Sequence, residues 1–183
     1  FPEIVNPENL ILNFEDEGVR SLKGLEHIKE IRSLKFESFY NKKITPKNIE
    51  DLSGCPLVNY SLIFKSCVHL STLDGFHPNQ TKIDILCTYN SPIKSFPLQL
   101  RNVNILYMTI DKNNFETILN GNFPKVNALY LYVSDKVSYL TKLHELIQDG
   151  KINDCMLSTP NNEKIEKALH RISDPFDFQE WCF

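Results

Sequence analysis

Glycine is scarce in this chain, and what is missing with it narrows the possibilities. The six glycines among 183 residues include no Gly-rich cluster of the kind whose backbone N–H groups cradle a phosphate, so no nucleotide-binding motif is present. No run approaches the roughly 18 consecutive apolar residues of a membrane-spanning helix. Basic residues are in no excess: 20 Lys and Arg stand against 23 Asp and Glu, a net charge of −3, which argues against a nucleic-acid partner. The five cysteines at 55, 67, 87, 155 and 182 form an odd set without a CxxC pair, and several fall at apolar positions. They read as reduced, buried thiols of an intracellular protein, cytoplasmic or nuclear. Cys55, Cys67, His69 and His77 lack zinc-ligand spacing, and no metal or other cofactor is expected. Asn59-Tyr60-Ser61 and Asn79-Gln80-Thr81 have the form of glycosylation acceptors. The first falls in an expected strand, and the second is weak evidence of secretion.

What is present is apolar and aromatic. An apolar fraction of 42% with twelve Phe and seven Tyr supports one folded domain spanning 1–183, since no linker divides the chain. The stretch Lys82 to Leu106 organises it. Ile83, Ile85 and Cys87 alternate with Asp84, Leu86 and Thr88, the pattern of a strand with one buried side. Asn90 follows as a turn residue able to satisfy backbone groups. Pro92 and Pro97 keep the next segment out of a ladder or helix interior, and alternation resumes at Val103, Ile105 and Tyr107.

The motif recurs. Strands are expected at Leu10-Leu12-Phe14, at Leu34-Phe36 after Ile31, at Tyr60-Leu62-Phe64, at Ile83-Ile85-Cys87, at Val103-Ile105-Tyr107, at Leu129-Leu131-Val133 and at Cys155-Leu157 after Ile152. Between them, Gly18 to Ile28 places Val19, Leu22, Leu25 and Ile28 at three-residue steps, a helix-like face. Thr45-Pro46 and Thr159-Pro160 are helix-start signals. Asn113 or Asn114 can cap a short run from Phe115 that Gly121 ends. Ser134 can cap a helix over 135–148 with Val137, Leu140, Leu143 and Ile147 inward, and Gly150 stops it. The aromatic C-terminal segment reads as a cap over the last coil, about 159–183, with repeats over about 10–158. The start at Phe1, with little to cover the first coil, points to sequence upstream.

This spacing and alternation resemble a leucine-rich repeat, with Asn90 and Cys67 in the slot where that family places Asn or Cys. Tyr89-Asn90-Ser91-Pro92-Ile93, followed by Pro97, Leu100 and Leu106, looks like one FNIP-type unit, and the irregular, aromatic-rich style looks like the repeat regions of F-box proteins. The resemblance implies an α/β leucine-rich-repeat solenoid: a parallel concave sheet of about seven short strands, with helices or turns on the convex side. It also implies a protein-protein interaction module. In F-box proteins such repeats hold the substrate of a ubiquitin ligase, whose adaptor docks on an N-terminal F-box that would lie upstream of this sequence.

In such a solenoid the residues between buried positions form the concave face. Strict alternation gives a central row of Asn13, Lys35, Ile63, Leu86, Leu106, Tyr132 and Met156, with Tyr130 and Met108 in the flanking rows. Ile63, Leu86, Leu106, Met108, Tyr130 and Tyr132 are therefore the expected partner-binding residues, an apolar centre among polar neighbours. The other reading has this row covered internally, within a structural repeat segment. Catalysis is not expected: Cys87 and Cys155 lack a local nucleophile motif, and Glu15-Asp16-Glu17 reads as a solvated turn before a helix.

Overall fold

Each turn of the chain contributes one strand to a single parallel sheet, and strands that follow one another in sequence are neighbours in space. The computed structural model describes residues 9–13, 21–37, 50, 52–65, 67–89, 91–111, 114–115, 117, 121–133 and 140–158. The main body of the sheet comprises β2 (Glu30–Glu37), β3 (Leu57–Lys65), β4 (Lys82–Thr88), β5 (Asn102–Ile110), β6 (Lys125–Val133) and β7 (Ile152–Ser158). The short β1 (Asn9–Asn13) adds to it by pairing with β2. The result is a solenoid of stacked coils, with little helix among the described residues.

The strands share a period that explains how they seat. β5 buries Val103, then Leu106, Met108 and Ile110, while β6 buries Val126, then Leu129, Leu131 and Val133. Three residues separate the first buried position from the second, and strict alternation begins only after that. Ile31 and Leu34 keep the same interval in β2, where the pairing with β3 is irregular between Ile31 and Ser33. This irregular entry puts one extra residue on the outer side. Because side chains alternate with a period of two, one extra residue inverts every position after it.

Turns form the described part of the return path in the first coils. Leu22, Leu25 and Ile28 are buried at the expected three-residue steps, but residues 21–29 hold turns: Leu25 N–H donates to the Leu22 carbonyl at 3.0 Å and Ile28 N–H to that of Leu25 at 2.9 Å. The expected helix is absent there because Gly24 has φ +100°, outside the helical region. The next coil repeats the device, with Cys55 N–H on the Leu52 carbonyl at 2.9 Å and Gly54 at φ +89°. A Cβ on Gly54 would lie 2.5 Å from the carbonyl oxygen of Leu22, so stacking one turn on the other requires glycine.

Leu140–Gln148 is helical, inside the expected span, with Leu143 and Leu146 buried. Gly150, at φ +67°, ends it: Gly150 N–H donates to the Ile147 carbonyl at 3.1 Å and Lys151 N–H to the Leu146 carbonyl at 2.9 Å, the paired bonds of a glycine C-cap. The helix starts signalled at Thr45-Pro46 and Thr159-Pro160 lie outside the described residues, as do Asn90 and the C-terminal cap.

The core is continuous from Leu22 to Leu157. Phe36 and Phe64, in register on β2 and β3, stack with centroids 5.1 Å apart, and Phe96 meets Phe123 edge-on at 5.4 Å between return segments. Buried polar side chains join the coils. Gln80 behaves as an extra peptide group: its Oε1 accepts the Val58 N–H at 2.8 Å and its Nε2 donates to the Val58 carbonyl at 2.9 Å. It completes the β3 entrance, where pairing with β4 begins only at Ser61. Ser91 is buried three residues past Thr88, and its Oγ accepts the N–H of Cys67, the residue in the corresponding slot one coil earlier, at 3.1 Å.

Candidate functional site

The open face of the sheet follows from the strand register. Its central row runs Lys35, Ile63, Cys87, Tyr107, Tyr130, Met156, each in register with the next. Ile63, Tyr130 and Tyr132 stand on this face and are half-buried, as the sequence indicates. Leu86, Leu106 and Met108 do not. Leu86 and Leu106 are 0% exposed and Met108 is 1% exposed, all within the core. Alternation counted from Ile83 and Val103 goes out of phase at the irregular strand entry, so the expected faces of β4 and β5 are exchanged. Ile85, Ile105 and Tyr107, expected inside, are half-exposed, and Tyr60 is 40% exposed.

The corrected register assembles an aromatic patch. Tyr107 and Tyr130 stack with ring centroids 4.6 Å apart and planes 20° from parallel. Tyr89, just past β4, meets Tyr132 of β6 edge-on at 6.0 Å. Thr109, the β5 residue in register with Tyr132, is small enough for the two rings to approach across it. Cys87 lies in the central row beside Tyr107, yet it is only 6% exposed and stands apart from the continuous core. Ile85, Ile105 and Ala128 form the adjoining row. Four half-buried tyrosines thus gather over β4 to β6, each with an apolar ring and a polar hydroxyl.

Beside this patch, towards the strand entrances, runs a ladder of side-chain amides. Asn153 Nδ2 donates to Asn127 Oδ1 at 2.9 Å, Asn127 Nδ2 to Asn104 Oδ1 at 3.2 Å, and Asn104 Nδ2 to the Asp84 carboxylate at 3.1 Å. The ladder edges a groove of about 560 Å³ lined also by Asn59, Lys82, Asn102 and Lys125. Sequence reasoning missed the ladder. The available signal was an Asn or Asp directly after the first β-branched residue of five successive strands: Val58-Asn59, Ile83-Asp84, Val103-Asn104, Val126-Asn127 and Ile152-Asn153. Each follows a buried residue directly, so simple alternation turns it outward.

Burial pushes the thiols of Cys55 and Cys155 up to about 12, and that of Cys67 to about 12 despite its hydrogen bond with Ser91, so all three are protonated and unreactive at neutral pH. Among the described residues no group of three or more His, Cys, Asp and Glu is placed to hold a metal ion, and no helix is long and apolar enough to cross a membrane. No protein-family model, curated protein or solved structure matches the chain.

Proposed function

We propose that the chain is a non-catalytic binding module of leucine-rich-repeat type that holds a protein partner on the open face of its sheet. The observation that carries this reading is the tyrosine patch. Four rings on adjoining strands and turns present rigid, amphipathic surface at low entropic cost, the composition of protein-binding hot spots. A contiguous patch of this kind calls for an occupant, whereas scattered exposed apolar residues do not. Partner contact is assigned to Ile63, Tyr130 and Tyr132 from the original set, joined by Tyr107, Tyr89, Ile85 and Ile105.

The test is affinity capture with the parent chain and a Tyr107→Ala, Tyr130→Ala double variant, each shown to be folded by circular dichroism. Loss of specific partners from the variant is the expected result, and identical capture by both chains would remove the tyrosine patch from consideration. Recognition of a ubiquitin-ligase substrate would use the same face. That role draws its support from the F-box-like style of the repeats, and it requires a ligase adaptor among the proteins recovered with a longer chain.

A further inference from the structure

We propose that the groove beside the tyrosine patch holds an extended, acidic peptide segment, its main chain against the asparagine ladder and its carboxylates on the strand-entry lysines. The proposal rests on the reading of this face as a protein-binding surface and names the chemistry of the partner.

Three observations carry it. The first is the unspent hydrogen-bonding capacity of the ladder. A side-chain amide has two N–H donors and an oxygen that accepts twice. Within the ladder, Asn104 and Asn127 each spend one donor and one acceptance on their neighbours. One N–H and one lone pair per rung therefore remain for a ligand, in alternating order along the row. That is the pattern a peptide backbone presents, and the amides are chemical copies of it.

The second is preorganisation. Every ladder bond runs in the same direction and ends on the Asp84 carboxylate, which accepts from Asn104. Rungs on adjacent strands repeat at about 4.8 Å, and bonding along the row fixes each amide plane before a ligand arrives, lowering the ordering cost of binding.

The third is charge. In a chain of net charge −3, the entries of β4 to β7 each carry an exposed cation: Lys82, Arg101, Lys125 and Lys151. Lys82 and Lys125 line the groove itself, both in register with Asn102 on the strand between them. Of the charged residues lining the groove, Lys82 and Lys125 are cations and Asp84, already engaged by Asn104, is the acid. Cations outnumber acids along this rim, which selects a segment rich in Glu or Asp.

The experiment measures binding of a short, labelled peptide of alternating Glu and Ser to the parent chain by fluorescence anisotropy. The comparators are the same peptide with Gln in place of Glu and a sulfated oligosaccharide. The acidic peptide should bind more tightly than the Gln peptide by roughly tenfold, as two or more charge pairs would give, and the preference should shrink as salt is raised. Charge reversal at Lys82→Glu and Lys125→Glu should abolish the preference. Asn127→Leu should weaken both peptides with the melting temperature little changed, because this side chain is exposed.

Equal binding of the acidic peptide by the charge-reversed variant overturns the assignment, as does binding of the oligosaccharide without the peptide. The two readings fail separately. If the acidic peptide does not bind while the tyrosine double variant still loses its protein partner, the groove is wrong and the patch stands. If peptide binding persists while partner capture ignores the tyrosines, the patch is wrong and the groove stands.

Discussion

Tyr107 and Tyr130 lie in register on β5 and β6, and their rings stack at 4.6 Å on the open face of the sheet. Neither ring belongs to the core beneath. The pair is a piece of surface whose rings contact each other across neighbouring strands.

That contact is measurable as a coupling. A double-mutant cycle of Tyr107→Ala and Tyr130→Ala, singly and together, should give an interaction term of about 0.5–1.5 kcal/mol in denaturant unfolding. Additive single changes would mean that the rings do not meet in solution.

The register itself is tested by adjacent residues. Leu106 is fully buried and Ile105 is half-exposed. Leu106→Asp puts a carboxylate among apolar side chains without a partner, a cost of several kcal/mol that should unfold the domain. Ile105→Asp lets its carboxylate reach water, so the variant should remain folded with a loss of about 2 kcal/mol or less. Thermal melts followed by circular dichroism decide the matter, and the reverse order would restore strict alternation from Val103.

Two glycines of positive φ should respond differently to alanine. Gly150→Ala meets no atom within 4 Å and incurs only the left-handed backbone penalty, about 1–2 kcal/mol. Gly54→Ala adds a clash at 2.5 Å with the Leu22 carbonyl and should cost clearly more, because the neighbouring coil must shift. Urea midpoints for the two variants provide the comparison.

Gln80→Met keeps side-chain volume but removes both hydrogen-bonding groups from the buried Val58 peptide. Leaving that N–H and carbonyl unpaired should destabilise the chain by about 1–3 kcal/mol for each group that water cannot reach. Amide exchange at Val58 should accelerate at the same time, so hydrogen-exchange measurements distinguish this cause from a packing defect.

Burial of the thiols makes stability depend on alkaline pH. For Cys55 and Cys155 the folded value is raised from 9.0 to about 12, so the folded state keeps protons that the unfolded chain releases. Their contribution is complete below pH 9 and declines as pH rises from there towards 12. Unfolding midpoints should fall over that window. At pH 8, iodoacetamide should leave Cys55, Cys67 and Cys155 unmodified in the folded protein and alkylate them in urea.

The stack of coils was legible because it depends on spacing: the apolar strands, their recurrence and the Gly150 stop all show in the amino-acid order. The open face was only half legible. Ile63, Tyr130 and Tyr132 stand on the open face as expected, since Leu62-Phe64 in β3 and Leu129-Leu131-Val133 in β6 lie beyond the irregular entry, whereas Tyr60, expected inward with them, lies within it and is exposed. In β4 and β5 the pattern was read from Ile83 and Val103, ahead of the extra residue, which exchanged Leu86 for Cys87 and Leu106 for Tyr107. Local pattern cannot reveal a one-residue irregularity when both faces of the strand are apolar, as Ile85-Leu86 and Ile105-Leu106 are. The three-residue steps of Leu22, Leu25 and Ile28 were ambiguous for a related reason, because successive turns and a helix bury the same positions.

The strand register has a consequence for how such a surface changes size. Ile83 pairs with Val103, Val103 with Val126 and Val126 with Ile152, separations of 20, 23 and 26 residues. The sheet stays aligned while the outer path lengthens. Insertions can therefore accumulate in the return segments without altering what the open face displays. The face itself grows only in whole steps of about 4.8 Å, one duplicated coil at a time. Its reach is quantised, and a longer ligand is matched by adding rungs and leaving the existing ones as they are.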